Sequence, residues 1–83
     1  MRIPFLTKRF NDNALDQCVM VSLESDGLID VTRLAIKSDN GVITIAGRTR
    51  NVFEKKRVGN VAQQGLDAAG LRFQQIVDRI VIE

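Results

Sequence analysis

The stretch that decides the fold is Ser38-Asp39-Asn40-Gly41-Val42-Ile43-Thr44-Ile45-Ala46-Gly47-Arg48-Thr49. Asn40-Gly41 is a turn signal, because both residues enter positive φ at low cost. Four β-branched residues follow, Val42 to Ile45, and β-branching favours a pleated strand. Gly47 either ends that strand or admits a close backbone neighbour. Upstream, Leu34 and Ile36 alternate with Arg33 and Lys37, the period of a half-buried strand. The pattern predicts an antiparallel hairpin, Val31–Lys37 with Val42–Thr49, joined over Ser38–Gly41. It carries no chemistry of its own and reads as the floor on which amphipathic helices pack.

On the N-terminal side, Asn13 is the expected cap of a first helix, with Asp16 suited to its positive end. Leu15, Cys18, Val19, Ser22 and Leu23 then form one face, and Gly27 ends the helix. Cys18 on this stripe reads as a small buried hydrophobe, since no histidine or nearby basic residue stands by to activate a thiol. On the C-terminal side, Asn51 and Glu54 form a capping-box pattern for a second helix. Its inner stripe is Val58, Val61, Ala62, Gly65, Leu66 and Ala69, with Gly70 beyond its end. Gly59 and Gly65 each cost up to about 1 kcal/mol relative to Ala. Close helix–sheet packing is the expected compensation at Gly65. The chain closes with a strand over Ile76–Glu83, which is partly apolar on both faces.

The order is α-β-β-α-β, an α+β two-layer sandwich with two helices on one face of a small mixed sheet. Residues 1–12 read as an N-terminal arm and residues 13–83 as a single domain. Eighty-three residues allow one marginal core, about 60% of the unfolded surface. The net charge of +2 does not by itself imply a nucleic-acid partner. One cysteine forbids an internal disulfide, and the absence of histidine removes the commonest metal ligand and general base. There is no Walker or dinucleotide fingerprint, no ligand spacing for a metal and no paired-carboxylate motif. The expectation is therefore a non-enzyme without cofactor or metal. A complete chain would sit in the cytoplasm or on a membrane surface, and a piece of a longer protein in the envelope.

From about Ala14 to Ile82 the chain resembles the BON domain family, named for bacterial osmotic-shock and nodulation proteins. The resemblance rests on Leu15, Val19 and Leu23, then Gly27-Leu28-Ile29-Asp30, then Asn40-Gly41-Val42-Ile43-Thr44-Ile45-Ala46-Gly47. It continues through Glu54-Lys55, Val61-Ala62 and Asp78-Arg79-Ile80-Val81-Ile82. The segment between Ala62 and Ile76 is longer than the family's usual spacing. The resemblance implies an α/β fold without catalytic residues and a binding role, attachment to phospholipid membranes or to envelope proteins.

Charge placement is the strongest functional signal. Arg48, Arg50, Lys55, Lys56 and Arg57 fall within ten residues, opposed locally only by Glu54. Phe53 lies about 140° from Val58 on the helix wheel and shares an outward face with Lys56, Arg57 and Asn60. An exposed aromatic ringed by cations suits an anionic bilayer, and three to five cations would supply roughly 3–5 kcal/mol. The alternative is a solvated face with Phe53 folded against the hairpin. A second class is a protein or homo-oligomer contact through Val77, Val81 and the arm residues Phe5 and Leu6. Nucleic acid is the weakest reading, because there is no GXXG clamp and no aromatic strand.

Overall fold

Asn40 and Gly41 take positive φ of 53° and 85°, so a two-residue turn closes the hairpin with a twist that suits antiparallel strands. The structure, a computed structural model, describes residues 10–83. The hairpin strands are β1, Leu34–Asp39, and β2, Val42–Thr49. The loop is shorter than Ser38–Gly41, because Ser38 and Asp39 pair with Ile43 and Val42. β1 also begins later than Val31. Asp30 accepts from the Thr32 amide at 3.1 Å and the Thr32 hydroxyl at 2.5 Å, and this caps a 3-10 turn over Val31–Arg33.

Two helices flank the hairpin in sequence, α1 over Asp12–Asp26 and α2 over Val52–Ala69, and β3 follows at Gln75–Ile82. β3 lies parallel to β2, with Ile43 beside Ile76 and Thr49 beside Ile82, so β2 is central and the sheet is mixed. The α+β sandwich with element order α-β-β-α-β is the fold of the chain. Its core joins Leu15, Val19 and Leu23 of α1, Val58, Ala62 and Leu66 of α2, and Ile43, Ile45 and Ile80 of the sheet. Ala69, at the end of the predicted α2 stripe, is exposed.

α1 starts earlier than the Asn13 cap predicts. Asn11 is the cap, its Oδ1 accepting from the Ala14 amide at 3.2 Å, and Asn13 sits inside the first turn. Asp12 accepts from the Asn40 and Gly41 amides at 2.8 and 3.0 Å, and Asp16 accepts from the Ser38 hydroxyl at 2.6 Å. The acids at the head of α1 therefore hold the hairpin against the helix. The Phe10 ring packs over Gly41, where a Cβ would lie 2.6 Å from it.

Two glycines mark close approaches. Gly47, at φ 134°, does not end β2. A Cβ there would meet the Arg33 carbonyl and lie 2.9 Å from Leu34 Cα. Gly65 serves helix–helix packing rather than the expected helix–sheet packing, because its missing Cβ leaves room for the Ser22 side chain of α1. Cys18, near the same contact, is half-buried rather than fully buried.

Candidate functional site

The start of α2 is built as predicted at its cap and differently at its acid. Asn51 Oδ1 accepts from the Glu54 amide at 2.8 Å. Glu54 does not reach back to the Asn51 amide. Its carboxylate accepts from Arg50 N at 2.9 Å and Asp30 N at 3.1 Å. With 9% exposure, it ties the exit of β2 to the loop that leaves α1. The Arg50 and Asp30 amides hold the Glu54 carboxyl below its ordinary range, and they outweigh desolvation, which acts the other way.

One helical turn further on, Arg57 makes a two-pronged bond to Asp26 at the end of α1, 2.5 Å from Nε to Oδ2 and 2.7 Å from NH2 to Oδ1. The guanidinium lowers the Asp26 pKa, and the carboxylate raises that of Arg57. Between these two anchors opens a groove of 680 Å³. Phe53 and Leu28 line it, 78% and 67% exposed, along with Arg50, Lys56 and Asn60. Phe53 is not folded against the hairpin. Lys56 is exposed and, among the described residues, has no ion-pair partner.

The six residues of the sequence cluster are not all brought together. Arg50, Phe53, Lys56 and Arg57 meet at the groove. Arg48 points elsewhere and pairs with Glu83 at 3.1 Å, and Arg33 bonds the same carboxylate. Lys55 turns inward to β3, 2.7 Å from the Ile80 carbonyl and 3.5 Å from Asp78. The cluster is also less positive than its local sequence, where only Glu54 opposes it. Asp26, Asp78 and Glu83 arrive from other elements. At the groove itself, Arg50, Lys56 and Arg57 face Asp26 and Glu54, which leaves one net positive charge.

Leu28 and Asp26 are groove residues that sequence pattern did not single out. A signal for Leu28 was present only as an apolar residue just after the helix-ending Gly27, a position that often packs back on its helix. Asp26 carried none, since its partner lies 31 positions away. Val77 and Val81 lie on the sheet face opposite the helices, half-buried and 62% exposed respectively. Phe5 and Leu6 lie outside the described residues. Among the described residues no cluster of three or more His, Cys, Asp or Glu is placed to hold a metal, and no helix is long and apolar enough to cross a membrane.

Comparison with models of known families gave no match, and comparison with curated proteins gave no similar chain. The BON resemblance rests on its motif residues alone, those of the turn and strand over 40–47 foremost.

Proposed function

We propose that the chain is a non-catalytic binding module that attaches to anionic phospholipid surfaces through the groove at the start of α2. The observation that carries this reading is the pair of large exposed side chains, Phe53 and Leu28, on one groove edged by Arg50, Lys56 and Arg57. An apolar tip set among cations fits the boundary between headgroups and acyl chains. The BON resemblance supports the same role. The chemistry available supports no rival catalytic role: the chain has no histidine, and its one cysteine is half-buried.

The energetics differ from those the clustered cations suggest. A single net charge near an anionic leaflet contributes about 1 kcal/mol. Full burial of a Phe or Leu side chain contributes about 1.5–3 kcal/mol each. Apolar insertion therefore outweighs charge attraction, and binding is weak, reversible and only partly salt-sensitive.

Vesicle co-sedimentation tests this reading. The protein should pellet with anionic vesicles and much less with zwitterionic ones at low salt. Phe53→Ala and Leu28→Ala should weaken binding at every salt concentration, and Lys56→Glu should weaken it chiefly at low salt. Equal binding to both vesicle types, or binding unaffected by Phe53→Ala, overturns the proposal. Lys56→Glu is the cleaner charge variant, because Arg57→Glu would also set two carboxylates together at Asp26.

A further inference from the structure

The sheet face turned away from the helices has its own pattern. Strand register places Lys37, Thr44 and Val77 in one row across β1, β2 and β3, and Ala35, Ala46 and Arg79 in the next. Val81 extends the β3 side of the face and is 62% exposed. The result is a face of small side chains, Thr44 and Ala46 on β2 and Val77 and Val81 on β3, with Lys37 on β1 and Arg79 between the two valines, while Asp39 shares the face one row beyond Lys37, beside Val42. Lys37 and Arg79 have no ion-pair partner among the described residues. Arg48 at one end is occupied by Glu83.

We infer that this face docks an amphipathic helix of a partner polypeptide, with an apolar stripe flanked by acidic residues. Three strands about 4.8 Å apart make a lane roughly 10–15 Å wide, and a helix with its side chains is about 10–12 Å across. Small residues on the lane let the helix come close, and carboxylates on either side of its stripe would meet Lys37 and Arg79. A second copy laid face to face fits worse. It would set these cations against the cations of the other copy. Strand addition at β3 is opposed at its middle. The Ile80 amide donates to its own Asp78 at 2.8 Å, and the Ile80 carbonyl accepts from Lys55. A bilayer lacks purchase here, since the lane has no large side chain standing clear as Phe53 does. The contact is small, so the complex is transient.

The probe is a labelled helix-forming peptide of about 18 residues, roughly 27 Å long. One version carries a Leu/Ala stripe flanked by Glu, and its control carries Lys in place of Glu. Fluorescence anisotropy should show the Glu version binding the full chain about tenfold tighter or more. Amide shifts should map to Thr44, Val77 and Val81. Lys37→Glu with Arg79→Glu should invert the preference, and Val81→Lys should weaken binding about tenfold. Phe53→Ala should leave peptide binding unchanged, which separates this face from the groove. The inference is overturned by equal affinity for both peptides, by a preference that survives the charge reversal, or by shifts centred on Phe53. It is also overturned if the protein alone sediments as a dimer that Val81→Lys dissolves, since a second copy then owns the face. All the variants change solvent-exposed side chains, and circular dichroism confirms that each is folded.

Discussion

Gly59 and Gly65 stand six residues apart in one helix, and the same substitution at each should have opposite signs. A Cβ at Gly59 meets nothing within 4 Å, so Gly59→Ala should stabilise by about 0.5–1 kcal/mol through helix propensity. At Gly65 the Cβ would lie 2.8 Å from Ser22 Cβ and closer to its hydroxyl, so Gly65→Ala should destabilise by about 1–3 kcal/mol. Urea denaturation of the two variants reads both signs directly. Glu54 is the other decisive single residue. Glu54→Ala leaves the Arg50 and Asp30 amides without their partner and should cost about 2–3 kcal/mol. The folded Glu54 pKa lies below its unfolded value, so its contribution is present above the ordinary carboxylate range. It is lost as pH falls through the folded value. An acid titration of stability should therefore flatten in Glu54→Ala relative to the parent.

Among the elements, β3 shows how an outer strand of the sheet is guarded. β3 is an edge, yet the outward amide and carbonyl of Ile80 are taken by Asp78 and Lys55. A cation that looks in sequence like part of a membrane-binding run thus guards a strand edge. Lys55→Met with Asp78→Val should strip that guard and produce concentration-dependent association, visible by sedimentation velocity. A double variant that stays as monomeric as the parent would show that the guard is dispensable. The head of α1 has the matching role at the hairpin, where Asp12 and Asp16 hold the turn and Ser38. Lys55 reaches residues more than 20 positions away, as Asp12 and Asp16 do, which is why local pattern misassigned the role of Lys55.

Across the molecule, the Asp26–Arg57 bond joins the end of α1 to the start of α2 and also sets the charge of the groove. Stability and surface affinity therefore pull against each other at this pair. Asp26→Asn should lower the melting temperature, because the depressed Asp26 pKa marks a carboxylate stabilised in the fold. That contribution exists above the unfolded pKa and disappears as pH falls through the folded one. The same change adds one positive charge to the groove and should raise affinity for anionic vesicles about fivefold at low salt. Melting curves and vesicle titration on one preparation check both. Affinity that falls together with stability would remove Arg57 from the binding surface.

The elements and their order are legible in the sequence. Asn40-Gly41 and the β-branched run after it dictate a turn and a strand through backbone and side-chain sterics alone. The 3.6-residue stripes of Leu15/Val19/Leu23 and Val58/Ala62/Leu66 dictate which helix faces are buried. The outward placement of Phe53 followed from the same periodicity. Which charges meet is decided by packing. It gives Arg57 to Asp26, Lys55 to Asp78 and the Ile80 carbonyl, Arg48 to Glu83, and the Glu54 carboxylate to the Asp30 backbone amide. It also sets Leu28 on the same groove as Phe53 and puts Ser22 against Gly65. Periodicity reports only how a residue faces relative to its own helix or strand. Ion pairs, grooves and close contacts depend on which elements lie side by side, and the folding of the entire chain sets that.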